Sequence, residues 1–130
     1  MCEISVKAKT ENLNAVLDFV GDYIGDCSAK IQNQIGIVID EVFSNISNYA
    51  YNPNVGDVAV RVKVGHDIVL EFEDCGVEYN PLLAKEPDTS LGANERDVGG
   101  LGLFMVRNIM DSVTYKRDGN RNILTIKKVI

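Results

Sequence analysis

The chain has 130 residues, with 13 Lys and Arg against 19 Asp and Glu, a formal net charge of -6, and 45% hydrophobic and 25% charged residues. That composition describes one soluble globular domain over residues 1–130, excludes a disordered chain, and lacks the basic excess of a direct nucleic-acid binder. Three cysteines without CxxC spacing argue against a disulfide framework or zinc cluster, and no apolar run is long enough to span a membrane, which points to the cytoplasm.

Residues 2–8 alternate between Cys2, Ile4, Val6, Ala8 and Glu3, Ser5, Lys7, the period of a strand. Thr10 is placed to cap a helix whose apolar positions Leu13, Val16, Leu17, Val20 and Ile24 recur at helical spacing. Gly25-Asp26-Cys27-Ser28 interrupts it, and Ser28 is placed to cap a longer helix over residues 29–51. After the Asn, Pro and Gly of residues 52–57, Val58, Val60, Val62 and Val64 alternate as a strand. Gly65-His66-Asp67 turns the chain into a second strand that ends at Asp74. Residues 82–98 are polar and aperiodic, a long loop of the kind that is functional or mobile, before residues 101–110 resume a helical pattern. Two strands joined by Asp118-Gly119-Asn120 close the chain. The order predicts an α+β two-layer sandwich, a mixed and mostly antiparallel sheet with helices on one face.

Three elements carry chemistry. Glu41 and Asn45 stand at i and i+4 on an otherwise apolar helix, so their side chains share a face. A carboxylate that accepts a proton beside an amide oxygen that binds a hard cation suits Mg²⁺-nucleotide chemistry, although a solvated helix face reads the same way. Asp74 closes a strand ahead of Gly76, where a carboxylate could accept from an exocyclic amine such as that of adenine; an ordinary Asp-x-Gly turn is the alternative. Gly99-Gly100-Leu101-Gly102-Leu103 opens a helix and presents backbone N–H groups suited to phosphate, or else forms a hinge.

Taken together and in this order, the three elements resemble those of the GHKL (Bergerat-fold) ATPases, and most closely the bacterial anti-sigma-factor serine kinases. Glu41-xxx-Asn45 through Tyr51 resembles the N box; Asp74-Cys75-Gly76 with Tyr79-Asn80-Pro81 resembles the first glycine box; Gly100-Leu101-Gly102-Leu103 resembles the second. The resemblance implies ATP and Mg²⁺ as ligands, with Asn45 on the metal and Glu41 as general base. It implies that Asp74 reads the adenine amine and that Gly76 lets the ring pack on the backbone. Gly100, Leu101, Gly102 and Leu103 would serve the phosphates, under a lid at about residues 82–98.

The implied activity is that of an ATP-dependent serine/threonine-protein kinase. It would phosphorylate a small STAS-type antagonist protein, control a partner such as a sigma factor, and act as a homodimer. Members commonly carry Asn-Ala-x-Lys-His after the metal ligand, where this chain has Asn45-Ile46-Ser47-Asn48-Tyr49. A phosphate-neutralising Lys is thus replaced by Asn48, which leaves Arg96 or Arg107 as candidate cations. Asn122 stands where a supporting Thr is common. These departures keep open a non-catalytic ATP-binding switch that sequesters its partner. His66, the one histidine, reads as a turn residue and Cys75 as an unactivated thiol.

Overall fold

The computed structural model describes residues 1–51, 54–83 and 105–130. In chain order the elements are β1 (Cys2–Lys7), α1 (Leu13–Gly21), α2 (Ala29–Asn45), β2 (Asp57–Val64) and β3 (Asp67–Asp74), then β4 (Ser112–Asp118) and β5 (Arg121–Val129). A helical segment over residues 105–109 precedes β4. The strands form one sheet in the order β1-β2-β3-β5-β4, and every pairing among the described residues is antiparallel. This is the α+β layer arrangement expected from the sequence, with β5 inserted between β3 and β4.

The helices cover one face only. Val16 and Val20 of α1, and Ile35, Val38, Ile39, Val42 and Phe43 of α2, are buried together with Val106 and Met110. Opposite them lie the inward rows of the strands: Val58, Val60 and Val62 of β2, Ile68, Leu70 and Phe72 of β3, and Leu124 and Ile126 of β5. The period of two in the strands and the i, i+3, i+4, i+7 pattern in α2 fix this packing, because each element has a single apolar side to bury. The outer face is polar. There Arg61 reaches Glu3 at 2.7 Å, Glu71 at 2.6 Å and Glu73 at 3.2 Å, bridging three neighbouring strands.

Local signals resolve in different ways. Ser28 caps α2 as expected: its backbone is extended and its Oγ accepts from the Ile31 N–H at 3.2 Å. Thr10 does not cap α1. It lies inside a 3₁₀ turn (Thr10–Asn12), and Asn12 precedes the helix with no side-chain cap, its amide donating instead to the Lys7 carbonyl at 2.9 Å. The second helix was expected to run to residue 51, but α geometry stops at Asn45 and a single π turn, Ile46–Ala50, follows. Gly119 takes φ +61° at the first of two turn residues joining β4 and β5, where a two-residue hairpin of this hand needs glycine.

Tyr51 then locks the end of the π turn to the sheet. Its hydroxyl donates to the Asp57 carbonyl at 2.7 Å and accepts from the Cys75 N–H at 2.6 Å, joining the start of β2 to the segment after β3. Burial lifts the phenol above the ordinary tyrosine pKa, so it remains a donor at neutral pH. Its ring lies so close to Gly56 that a Cβ there would come within 2.2 Å of it. The residue that closes the N-box pattern is therefore a structural pin.

Candidate functional site

A cavity of about 290 Å³ opens between the end of α2, the π turn and the ends of β3 and β5. Its floor is formed by residues that are themselves buried: Val42, Phe72, Asp74, Asn122 and Leu124. Asn45, Ile46, Tyr49 and Ala50 form the helix side, while Val77, Glu78, Tyr79 and Pro81 come from the chain beyond β3. Tyr115 of β4 completes the lining. A mainly apolar concavity with a few fixed polar groups is the usual form of a small-molecule site.

Asp74 arrives at the floor through simple alternation. Ile68, Leu70, Phe72 and Asp74 form one inward row of β3, so the last member places a carboxylate where its predecessors place hydrocarbon. It is 6% exposed. Burial of such a group is tolerable only with partners, and Oδ1 has two: the Gly76 N–H at 2.9 Å and the Asn122 amide Nδ2 at 2.9 Å. Both fall on the same oxygen, which among the described residues leaves Oδ2 as the acceptor available to the cavity.

Asn122 is paired with Asp74 across β3 and β5, and it is the hub of the floor. Its Nδ2 also donates to the Val77 carbonyl at 2.8 Å. Its Oδ1 accepts from the Tyr115 hydroxyl at 2.5 Å, Arg117 Nη1 at 3.1 Å and the Tyr79 N–H at 3.3 Å. Two acceptors on one side and three donors on the other assign the amide orientation without ambiguity. Arg117 Nη1 also donates to the Gly76 carbonyl at 3.1 Å, tying β4 to the turn after Asp74. Sequence reasoning singled out Asn122 but missed Tyr115 and Arg117. Their signal was the period-two row of β4, which puts both on one face.

Gly76 has a packing reason to be glycine. A Cβ there would lie 2.3 Å from the Ala50 carbonyl oxygen and 2.7 Å from the Ala50 Cβ, and the neighbouring Val77 N–H donates to that same carbonyl at 3.0 Å. Gly76 is not itself a wall residue of the cavity. Because the obstacle is backbone held on both sides, Gly76→Ala should destabilise the protein by about 1–3 kcal/mol through overpacking. Thermal unfolding of the purified variant checks this; an unchanged Tm would show that Ala50 can yield.

The other expected site residues divide. Asn45 lines the cavity from the last turn of α2. Glu41 is half-buried one turn earlier on that helix and does not belong to the wall. Gly100, Leu101, Gly102 and Leu103 lie outside the described residues, as do Arg96 and the expected lid except for Leu82 and Leu83. Arg107 is exposed on the helical segment 105–109, so among the described residues the guanidinium brought to the floor is that of Arg117. Asn48 is exposed and away from the wall, whereas Tyr49 belongs to it.

Among the described residues no cluster of three or more His, Cys, Asp or Glu is arranged to hold a metal ion. No described helix is long and apolar enough to cross a membrane.

The chain is similar to several known proteins. The chain is 26% identical over 102 residues to the serine/threonine-protein kinase BtrW of Bordetella bronchiseptica, an alignment covering 76% of this chain and 71% of that one. It is 29% identical over 135 aligned positions to the serine-protein kinase RsbW of Bacillus cereus, covering 98% of this chain and 84% of the relative. An RsbW of Bacillus thuringiensis is 26% identical with the same coverage. The GHKL resemblance read from the three motifs agrees with these relatives. A profile described as the histidine kinase-like ATPase domain matches residues 6–128, nearly the whole chain, and the chain belongs to that family.

Proposed function

We propose that the protein is an ATP-binding serine/threonine-protein kinase of the anti-sigma-factor type. Its phosphoryl acceptor would be a small STAS-type antagonist protein, and its regulated partner a sigma factor. One observation carries the reading: the Asp74–Asn122 pair forms the polar floor of an apolar cavity that Asn45 lines from the facing helix. Among the described residues the Oδ2 of Asp74 is left as an acceptor at the floor of a mainly apolar cavity, which suits the exocyclic amine of adenine.

The donor set also fits a Mg²⁺ carried by phosphates. Such an ion keeps water and phosphate oxygens and takes only one or two protein ligands, and Asn45 offers one amide oxygen, with no carboxylate cluster arranged as a metal site among the described residues. When bound, Mg²⁺-ATP supplies the phosphoryl group and the charge neutralisation. The chain's own tasks are to seat the base on Asp74, hold the metal-bearing end beside Asn45, and accept the serine hydroxyl proton on Glu41. The N–H groups of Gly100 to Leu103 would meet the phosphates. Homodimerisation and a cytoplasmic location complete the reading and rest on the family resemblance. His66 lies exposed in the turn between β2 and β3 rather than on a helix, which disfavours a histidine phospho-acceptor in this chain.

A second reading, an ATP-dependent binding switch without turnover, is favoured by the position of Glu41 outside the cavity wall and by neutral Asn48. Incubation with labelled ATP and a candidate antagonist separates the two. The kinase reading expects phosphoserine from the wild type and a loss of roughly a hundredfold or more in Glu41→Ala, with nucleotide affinity kept. Tight nucleotide binding with no phosphoserine selects the switch. No nucleotide binding at all removes both.

A further inference from the structure

Arg117, Asn122 and Asp74 are partners across β4, β5 and β3, so the sheet register sets a guanidinium, an amide and a carboxylate in one lateral row. Of the three, Asn122 and Asp74 line the cavity, and Arg117 sits half-buried beside them. Its Nε donates to the Gly119 carbonyl at 3.0 Å, and its Nη1 to Asn122 Oδ1 and the Gly76 carbonyl, both at 3.1 Å. The Gly76 contact closes a circuit. The Gly76 N–H donates to Asp74 Oδ1 at 2.9 Å, and the next peptide has its carbonyl on Arg117 and its N–H on the Ala50 carbonyl at 3.0 Å. The Gly76–Val77 peptide is thus clamped from both sides, between β4 and the π turn. Glycine restrains its own backbone least of all residues, so the clamp supplies the rigidity that a side chain would otherwise give.

We infer that Arg117 is a positioning residue for recognition of the base: by holding the Gly76–Val77 peptide it fixes the Gly76 N–H on Asp74 Oδ1 and keeps Oδ2 turned to the cavity. A guanidinium suits this task because its planar fork serves acceptors on three segments at once, which a single amine does not. Without it the peptide keeps its bond to Ala50 but is free to tilt about Gly76. Oδ1 then loses one of its two donors for part of the time, and the carboxylate turns with it. A ligand that needs one orientation of a site binds more weakly in proportion to the time spent out of it. The loss falls on a base carrying an exocyclic amine and spares one carrying a ring carbonyl, which gains nothing from a fixed Oδ2. This rests on the nucleotide reading above and deepens it by assigning a residue that lies outside the cavity wall.

Calorimetric titration of the full chain with Mg²⁺-ADP and with Mg²⁺-inosine diphosphate tests it, on wild type, Arg117→Leu, Tyr115→Phe, Arg61→Leu and Asp74→Asn. Arg117→Leu should bind ADP roughly tenfold more weakly and inosine diphosphate within about twofold of wild type, so the ratio of the two affinities falls. Tyr115→Phe removes one of the three donors on Asn122 Oδ1 and leaves the Gly76 peptide alone, so its ratio should stay within about twofold of wild type. Arg61→Leu removes three ion pairs on the outer face of the sheet. Like Arg117→Leu it should lower the ligand-free Tm by a few degrees, but it should leave the ratio unchanged. If Arg117→Leu does not fold, Arg117→Lys carries the same test. Its one amine cannot serve the Gly76 and Gly119 carbonyls together, so the ratio should fall about threefold.

The positioning role is overturned if the Arg117 variant keeps the wild-type ratio while Asp74→Asn loses ADP, a result that keeps the nucleotide reading. Equal weakening of ADP and inosine diphosphate also overturns it, as does an equal fall of the ratio in Arg61→Leu, since either assigns the effect to general loss of stability. An equal fall in Tyr115→Phe assigns it to Asn122 instead of the Gly76 peptide and overturns it too. A wild type that binds no ADP removes the nucleotide reading and the positioning role together.

Discussion

Replacing Asp74 with Asn should weaken adenine-nucleotide binding about a hundredfold while leaving the fold standing. Oδ1 of Asp74 accepts from the Gly76 N–H and the Asn122 Nδ2, both at 2.9 Å. An Asn side chain can keep those bonds only by pointing its oxygen at them. Its NH₂ then occupies the place of Oδ2 and faces the cavity as a donor. The opposite orientation would set an NH₂ against two donors at once. Either way the acceptor for an exocyclic amine is gone, and an incoming amine meets a like group.

A buried polar mismatch of this kind, together with the lost charge-assisted bond, is worth on the order of 3 kcal/mol, or about a hundredfold in affinity. Calorimetry with Mg²⁺-ADP on wild type and variant measures it, and thermal unfolding confirms that the variant is folded. The same swap turns the floor into a donor suited to a ring carbonyl, so the variant should lose much less affinity for inosine diphosphate than for ADP. Retained ADP affinity would mean that the base does not reach Asp74.

Much of the frame was legible because it is written in local periodicity. The alternation of β2 and β3, the buried stripe of α2 and the Ser28 cap each depend on residues within a turn or a strand of one another. Asp74 was legible for the same reason: it continues the row of Ile68, Leu70 and Phe72. What could not be read were contacts set by tertiary approach. Gly76 meets Ala50, and Tyr51 meets both Gly56 and Cys75, across loops whose closure no period announces. Thr10 fails as a cap because the chain leaves β1 through a 3₁₀ turn that delays the helix to Leu13.

The N box divides along the same line. Helical spacing correctly gives Glu41 and Asn45 a common face, but which turn of α2 borders the cavity depends on where the sheet ends beneath it. Of the two, Asn45 lines the cavity and Glu41 does not. The π turn then separates Asn48 from Tyr49 in a way that spacing alone does not, sending the first to solvent and the second to the rim.

Asn122 provides the other large expected effect, because one side chain satisfies partners from β3, β4 and the segment after Asp74. Asn122→Leu removes the donor to Asp74 Oδ1 and to the Val77 carbonyl, and the acceptor of the Tyr115 hydroxyl and Arg117 Nη1. Arg117 retains the Gly76 and Gly119 carbonyls, at 3.1 and 3.0 Å, so part of the β4 connection survives. Asp74 is left buried with one donor, and the cost of stranding polar groups exceeds the modest value of each bond when made. The expected loss is about 2–4 kcal/mol in urea or thermal unfolding, with ADP binding lost as Oδ1 is released and Asp74 turns from the cavity. Asn122→Thr separates the two parts of this role. A hydroxyl can donate once, to Asp74, and can still accept from Tyr115, but it cannot also serve Val77. That variant should therefore recover most ADP affinity while remaining less stable than wild type. If Thr restores neither, Asn122 acts through the geometry of the whole hub rather than through its bond to Asp74. If Leu costs less than about 1 kcal/mol, the polar floor is not what holds β3, β4 and β5 together at this end of the sheet.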